Sequence, residues 1–417
     1  MKKYKLGDLI EVTRGASLSG DFYAASGKYI RLTCGNFDYR NNCFKENTSK
    51  DNLYYTGEFK EEFLLEKGDL ITPLTEQAIG LLGSTAWIPE SGKYIQSQDI
   101  AKITCTEEQF DKKFAYYLIS SDMVKRQLSA AAQQTKIRHT SPDKIKDCTV
   151  WLPPLAEQKQ IGQLLFDIDC KIEVNRAINH NLEAMAKQLY DYWFVQFDFP
   201  DENGKPYKSS GGKMVWNEKL KREIPEGWTD GIFSNIANIT MGQSPDGSSY
   251  NEEGNGSVFY QGSTDFGMRF PSVRMFTTSP SRFAKQGDIL MSVRAPVGAV
   301  NIANNDCCIG RGLSAISAKI GSITYIYYVI HYLRIHFDSL NTAGTTFGAI
   351  TKDDLYNLPV VVPHNRVIEL FESICKPIFD KQMGIGLEIE RVTKLRDELL
   401  PLLMNGQVSV NYDLAND

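Results

Sequence analysis

The sequence predicts an α+β protein in which two mixed α/β domains are separated by two long antiparallel coiled-coil helices, with a pseudo-two-fold internal repeat. Residues 154–194 form a stretch with apolar residues at alternating three- and four-residue spacing, and residues 367–404 form a second such stretch. Landmarks of the first half of the chain also recur in the same order in the second half. Because a long exposed helix must bury its apolar seam, the two stretches are predicted to pair with each other.

The first domain is predicted over residues 1–153. Short strand-like runs between turn residues, such as 69–75 and 100–104, are typical of a sheet. A segment with apolar residues at helical spacing, 110–128, is expected to pack on that sheet. A polar loop then leads into the first long helix.

The first long helix is predicted over residues 154–197, where about forty residues at 1.5 Å each would extend roughly 60 Å. A polar residue inside a coiled-coil seam fixes the register of the two helices, and Asn175 is assigned that role. The seam is predicted to consist of two heptad positions. The first position holds Ile161, Ile168, Asn175, Leu182 and Leu189, and the second holds Leu164, Lys171, Ile178, Met185 and Tyr192.

A connector is predicted over residues 198–226, where Gly, Ser, Lys and Asp are abundant and apolar residues are few. The second domain follows over residues 227–363 and repeats the first. Its landmarks Gly242, Gly287 and Pro363 fall on Gly15, Gly68 and Pro153. Gene duplication is the economical explanation of an ordered series of this kind.

The second long helix is predicted over residues 364–406, followed by a tail over 407–417. Its stretch contains Pro377, Gly384 and Gly386, which predict a kink or a short break. Its predicted seam residues are Phe371, Ile374, Ile378, Ile385, Val392, Leu395, Leu399 and Leu402.

Composition narrows the class of protein. The 417 residues carry a formal net charge of −5, which argues against a dedicated nucleic-acid binder unless local patches or partner subunits supply the positive field. The eight cysteines are scattered without a C-x-x-C pair, as in reduced cytosolic proteins. No apolar run of membrane-spanning length occurs. We therefore expect a cytoplasmic protein that does not bind membranes.

Motifs for catalysis are missing from the sequence. A phosphate-binding P-loop needs four residues between its two glycines, whereas six residues separate Gly20 from Gly27, and Tyr29 follows Lys28. The N-P-P-Y or D-P-P-Y tetrapeptide of amino-methyltransferases does not occur, and the five histidines are too far apart for a metal site. The sequence thus predicts no catalytic residue and no metal in this chain, and so not an enzyme.

The predicted architecture indicates a function in binding. Two modules held apart by a helix pair can touch two separated places on a long ligand, and duplex DNA is such a ligand. Because the modules differ greatly in sequence, they are expected to read two different sequences. The alternative is a non-catalytic scaffold whose two modules bind other proteins.

Several long segments resemble one family. They are GKPYKSSGGKMVW at 204–216, EIPEGW at 223–228, LEAMAKQLYDYWF at 182–194 and LRDELLPLLMNGQV at 395–408, together with the helix entries LPPLAEQ at 152–158 and VPHN at 362–365. The second entry lacks the double proline of the first. In these segments the chain is similar to the DNA specificity subunits of type I restriction-modification systems, which serve phage defence and DNA methylation.

The resemblance implies that each domain is a target-recognition domain for one half of an asymmetric bipartite DNA site, and that the helix pair sets the unread gap. It also implies that the helices dock two adenine-N6 methyltransferase subunits, which ATP-dependent translocase and nuclease subunits join for restriction. S-adenosylmethionine, ATP and magnesium would be held by those partner subunits, and this chain would hold no cofactor.

Residue type indicates which side chains could contact DNA. Arginine and lysine bind phosphates, arginine also reads guanine, and glutamine reads adenine. Polar residues specific to one half of the repeat are where different bases would be read. The candidates are Lys28, Arg31, Arg40, Gln134, Lys136 and Arg138 in the first domain, and Gln243, Gln261, Arg274, Arg294, Arg311, Thr345 and Thr346 in the second.

Overall fold

The computed structural model describes residues 1–76, 80–106, 108–131, 138–334, 337 and 348–410. The chain divides into two compact units, Met1–Glu173 with Arg391–Asp417, and Val174–Glu390. Each unit contains one mixed α/β domain and a portion of each long helix. The predicted fold class is confirmed.

The first unit begins with the first domain. Its elements are β1 (Lys2–Lys5), β2 (Ile10–Arg14), β3 (Tyr23–Ala24), β4 (Tyr29–Arg31), β5 (Phe37–Asp38), β6 (Cys43–Phe44), β7 (Tyr54–Tyr55), β8 (Leu70–Pro73), β9 (Thr75–Glu76), β10 (Ala86–Trp87), β11 (Tyr94–Ile95), β12 (Ile100–Cys105), α1 (Lys112–Ile119), α2 (Asp122–Ala131), β13 (Arg138–His139), α3 (Pro142–Lys146) and β14 (Thr149–Leu152). The first long helix, α4, follows at Leu155–Tyr190 and ends in a π-helical turn at Asp191–Val195.

The second unit contains the second domain. Its elements are β15 (Met214–Asn217), β16 (Arg222–Pro225), β17 (Thr229–Ile232), α5 (Phe233–Ile236), β18 (Ala237–Met241), β19 (Tyr250–Asn251), β20 (Ser257–Tyr260), β21 (Phe276–Thr277), β22 (Phe283–Ala284), β23 (Ile289–Ser292), β24 (Val300–Ile302), β25 (Cys307–Ile309), β26 (Leu313–Ala318), α6 (Ile323–Tyr332), α7 (Lys352–Tyr356) and β27 (Pro359–Val362). The second long helix, α8, spans Asn365–Met404.

The internal repeat is visible in the sheets. An antiparallel sheet of strand order β10-β8-β12-β2 in the first domain matches the order β24-β23-β26-β18 in the second. The predicted landmarks occupy the same structural positions. A Cβ atom added to Gly15 would lie 2.3 Å from the Gln96 carbonyl oxygen, and one added to Gly242 would lie 2.2 Å from the Gly310 carbonyl oxygen. Both glycines therefore allow the same close approach of two backbones, and the predicted repeat is confirmed.

The long helices run antiparallel where they meet. Within the second unit, the Asn175 side-chain amide donates to a Glu388 carboxylate oxygen at 3.0 Å, and the Gln382 side-chain amide donates to the Asn179 carbonyl oxygen at 3.4 Å. A step forward along α4 is thus a step backward along α8. Asn175 is buried and hydrogen-bonded across the seam, as a residue that fixes register should be.

One of the two predicted rows of seam residues in α4 is shifted by one residue in the structure. Ile161 and Asn175 are buried, and Leu164, Ile168, Leu182 and Leu189 are half-buried. Ile178, by contrast, is 39% exposed, so its assignment to the seam is wrong. The residues one position further along form the second buried row: Leu165, Ile172, Asn179, Ala186 and Trp193. Apolar character favoured Ile178 and Met185, whereas the helix geometry buries the less apolar Asn179 and Ala186.

In α8, Phe371 and Ile385 are buried and Ile378, Val392 and Leu399 are half-buried. Ile374, Leu395 and Leu402 are exposed, so their assignment to the seam is wrong. The predicted short break is wrong, because α8 continues without interruption past Pro377, Gly384 and Gly386. Gly386 serves packing instead. A Cβ atom there would lie 2.7 Å from the Phe270 ring, which is buried against this point of the helix.

Candidate nucleic-acid interface

A cavity of about 440 Å³ in the second domain gathers four of the predicted DNA contacts. Gln261, Arg274, Arg294 and Arg311 all line it, together with Asp265 and Phe259. Three arginines around one concave surface make a positively charged site in a chain whose net charge is negative. The negative net charge of the whole chain therefore does not argue against nucleic-acid binding at this site, because the local charge is positive.

The sheet topology brings these side chains together. Strands β20 and β25 are parallel neighbours, with Phe259 opposite Cys308, so the residues after their carboxyl ends lie at the same edge. Gln261 follows β20, and Arg311 follows β25. Strand β23 pairs with β26, and the Val293 N–H donates to the Gly312 carbonyl oxygen at 2.9 Å, which places Arg294 at the same edge.

Two glycines allow this edge to close. A Cβ atom on Gly310 would lie 2.9 Å from the Gln261 Cα atom, and one on Gly312 would lie 2.6 Å from the Gln261 carbonyl oxygen. Any larger residue would push the chain away from Gln261. The Gly-Arg-Gly triplet at 310–312 is therefore a local signal for this site, and it is readable in the sequence.

The arginines of the cavity differ in their freedom to bind a ligand. Arg274 donates through Nε to the buried Asp265 carboxylate at 2.6 Å and through Nη2 to the same oxygen. Arg294 and Arg311 are exposed, and among the described residues neither guanidinium has a hydrogen-bond partner. Both are thus available for the paired acceptors of a guanine edge or for phosphate oxygens, and Gln261 is exposed and can pair with adenine.

The equivalent place in the first domain is built differently. There Arg138 lies opposite Glu76 in the β9–β13 pair, and its Nη1 is 3.5 Å from Glu76 Oε2. Glu76 is buried and accepts the N–H groups of Gly80 and Leu81 through its other oxygen at 2.8 and 3.1 Å. Arg138 therefore balances the charge of this buried carboxylate.

In the second domain the same bridge joins Arg294 to Ala349, and the Ala295 N–H donates to the Gly348 carbonyl oxygen at 2.9 Å. When residues are counted from the equivalent strands β8 and β23, Arg294 corresponds to Thr75 and Ala295 corresponds to Glu76. Gly348, which pairs with Ala295, therefore corresponds to Arg138. The residues opposite this position are Gly348 and Ala349, and within the described part of the chain the Arg294 guanidinium has no acidic partner. The two domains thus present different side chains from one shared backbone position.

The remaining candidates are dispersed. Lys28 and Arg40 are exposed, and the Lys28 ammonium lies 4.8 Å from the centre of the Tyr29 ring. Gln243 is exposed, and its backbone N–H donates to the Ile309 carbonyl oxygen at 3.0 Å. Gln134, Lys136, Thr345 and Thr346 lie outside the described residues.

Arg31 is removed from the candidate set. It is only 7% exposed, it donates to the Asn52 carbonyl oxygen at 3.3 Å, and its guanidinium lies 3.7 Å from the centre of the Tyr23 ring. A guanidinium committed in this way supports the fold of the first domain.

A further arginine, Arg269, is also structural. It is buried in the second unit and donates to Glu183 and Tyr327 at 3.1 Å each and to Gln382 at 3.3 Å. Burial raises the pKa of the Tyr327 hydroxyl above its ordinary value, an effect that Arg269 partly offsets. Arg269 thereby links a loop of the second domain to both long helices.

Comparisons with known proteins agree with the two-domain division. Residues 1–184 and 225–368 match the model of the type I restriction modification DNA specificity domain. The putative type I restriction enzyme MjaX specificity subunit of Methanocaldococcus jannaschii is 35% identical over 288 residues, an alignment that covers 67% of this chain and 63%, less than two thirds, of that protein. The type I restriction enzyme EcoBI specificity subunit of Escherichia coli is 22% identical over 395 residues, covering 89% of this chain and 80% of that protein.

One solved structure shares the fold. It is the S subunit of the type I restriction-modification system from M. genitalium, which is 17% identical with a TM-score of 0.60 and aligns over 97% of this chain and 96% of that one. In the part of the chain that the structure describes, no helix has the length and apolar character needed to span a membrane.

Proposed function

The chain belongs to the family of type I restriction-modification DNA specificity proteins, and from this premise we propose that each of its domains reads one half of an asymmetric bipartite DNA site. Specificity subunits of this family bind DNA and assemble with the other subunits of their systems. A scaffold function in which the two modules bind only other proteins is not favoured by this membership.

The observation that carries the proposal is the difference between the two domains at one shared position. The second domain exposes Arg294 at the cavity edge, where the first domain has the buried Thr75 next to the ion-paired Glu76 and Arg138. One backbone framework with different exposed polar groups would recognise different base pairs. Two unlike readers would make the site asymmetric.

Arg294 provides the direct test. Arg294→Ala should weaken binding to the cognate duplex by about 5- to 150-fold, because a bidentate contact to a base discriminates by about 1–3 kcal/mol. The cognate sequence would first be identified by sequencing methylated adenines in the source genome. Affinity for cognate and scrambled duplexes would then be measured at one salt concentration with the assembled complex.

Arg282→Ala is the matched control, since Arg282 is an exposed arginine of the same domain that does not line the cavity. It should change cognate and scrambled binding little and equally. Equal losses for the two substitutions, or a loss for Arg294→Ala that is the same on both duplexes, would reject a base-reading role for Arg294.

We also propose that the long helices dock two methyltransferase subunits. Ile178, Met185 and Tyr192 are exposed at seven-residue spacing on α4 and its π-helical turn, and Leu395 and Leu402 are exposed at the same spacing on α8. Met185 and Leu395 each lie thirty residues after the first residue of their helix. Tyr192 and Leu402 likewise occupy equivalent positions, and an exposed apolar pair that the repeat presents twice is suited to two copies of one partner.

In this proposal the chain supplies recognition and geometry, and its partners supply the chemistry. Methyl transfer to adenine would use S-adenosylmethionine held by the methyltransferase subunits. Cleavage would use ATP and magnesium held by restriction subunits. The gap between the half-sites would be set by the helix pair, and the complex would act in the cytoplasm.

A further inference from the structure

An open groove in the first unit has a lining unlike that of the DNA-contact cavity. It has a volume of about 680 Å³ and lies where the first domain meets the beginning of α4. Its floor includes Trp87, Ile88 and Phe166, and four lysines stand around it: Lys67, Lys112, Lys113 and Lys159. An apolar floor inside a cationic rim selects a ligand with apolar side chains and negative charge.

The groove is preorganised by contacts of its own residues. The Trp87 ring stacks on Tyr116 with the ring centres 5.0 Å apart. The Lys113 ammonium lies 4.2 Å from the centre of the Phe166 ring and donates to the Gln163 side-chain oxygen at 2.7 Å. Asp111 also lines the groove, but its carboxylate accepts the Phe114 N–H at 2.9 Å and so caps α1. The net charge of the lining is positive.

The internal repeat shows that the groove belongs to one half of the molecule. Residues at the same distance from the start of corresponding elements occupy equivalent positions in the two halves. The lysines at 67, 112, 113 and 159 correspond in this way to Gln286, Ile323, Thr324 and Glu369, and Phe166 corresponds to Lys376. The four lysines of the first half thus have no lysine counterpart.

We propose that this groove binds an acidic segment of a partner protein that carries one or two large apolar side chains. Proteins of this family assemble with partner proteins, so a protein ligand is expected. Because the rim of the groove is positively charged, the segment that binds there should be negatively charged. Duplex DNA fits less well, because phosphates are bound by polar and cationic groups and gain nothing from a Trp87–Phe166 floor. Since the equivalent positions of the second half carry none of these lysines, one chain would bind one such segment. This docking surface is separate from the repeated helix stripes and rests on no step of the DNA-reading proposal.

The test uses the full chain and a fluorescein-labelled peptide, Glu-Glu-Phe-Leu-Glu-Glu, with binding followed by fluorescence anisotropy. The peptide should bind with a stoichiometry of one. Combined Lys67→Glu and Lys159→Glu substitutions should weaken it by roughly tenfold or more, because like charges then face each other. Both lysines are exposed, so the fold is expected to tolerate the change.

Controls separate the groove from general electrostatics. Lys50→Glu with Lys60→Glu makes the same charge change at exposed lysines of the same domain outside the groove, and it should leave peptide affinity within twofold. A peptide with serine in place of its two apolar residues should bind at least tenfold more weakly. The proposal is overturned if the labelled peptide does not bind, if both lysine pairs matter equally, if two peptides bind per chain, or if a duplex oligonucleotide displaces the peptide.

Discussion

The role of an arginine depends on the residue that lies opposite it in a strand pair. Arg138 and Arg294 were both predicted from residue type to contact DNA, and the structure places them on equivalent strand pairs of the two domains. Arg138 faces the buried Glu76, whereas Arg294 lies opposite Ala349. The sequence identifies both as candidates, but only the fold shows which arginine has its charge balanced internally.

Arg138 is therefore predicted to affect stability. Arg138→Ala removes the cation beside a carboxylate that is 3% exposed, and because the Arg138 side chain is itself 38% exposed the cost should be about 1–2 kcal/mol in the free energy of unfolding. Urea denaturation measures this change. A loss of cognate DNA binding with unchanged stability would instead restore Arg138 to the recognition surface.

The control for Arg138 is a change in its partner. Glu76→Gln keeps an oxygen to accept the N–H groups of Gly80 and Leu81 but removes the charge. On that background Arg138→Ala should cost clearly less than it does alone, and the difference is the coupling between the two side chains. Equal costs on both backgrounds would mean that the ion pair contributes nothing.

At the scale of one element, α8 shows that two glycines in the same helix can have different structural roles. Pro377, Gly384 and Gly386 predict a kink or a short break, and the structure excludes the break because the helix is continuous. A Cβ atom added to Gly384 would meet nothing within 4 Å, whereas one added to Gly386 would lie 2.7 Å from the Phe270 ring. One glycine only weakens the helix, and the other makes room for a neighbour.

These two positions form a matched pair of substitutions. Gly384→Ala should stabilise the protein by about 1 kcal/mol, because alanine is the better helix former. Gly386→Ala should destabilise it by about 1–2 kcal/mol net, because the overpacking against Phe270 exceeds that gain. Shifts of the urea midpoint in the same direction for both variants would contradict this explanation.

At the scale of the whole molecule, the proposed docking of two methyltransferase subunits is tested at the exposed apolar residues of the two long helices. Met185→Glu and Leu395→Glu each place a charge in one stripe, so each variant should retain one methyltransferase subunit and the double variant none. Native mass spectrometry of the assembled complex counts the subunits. Val215→Glu, which alters an exposed apolar residue outside the helices, should retain both subunits. Full occupancy of the double variant would exclude docking at the stripes.

The proposed gap-setting role of the helices is also tested on the whole complex. Removing seven residues from each long helix shortens it by about 10 Å, so the unread gap should shrink by roughly three base pairs while both half-sites stay the same. Methylome sequencing of cells with the altered subunit would measure the gap. An unchanged gap would contradict the proposal, and a chain lacking only residues 411–417 should serve as the unaltered reference.

The sequence by itself determined the fold class, the internal repeat, the two long helices and the family, because each of these follows from periodicity or from long matching segments. Tertiary structure alone decided which face of each helix is buried, why α8 tolerates its glycines, and which arginines remain open to a ligand. The physical reason is that periodicity is a property of one segment, whereas burial and charge pairing depend on the element that packs against it. Asn179 and Ala186 are buried because of that geometry, although Ile178 and Met185 are more apolar.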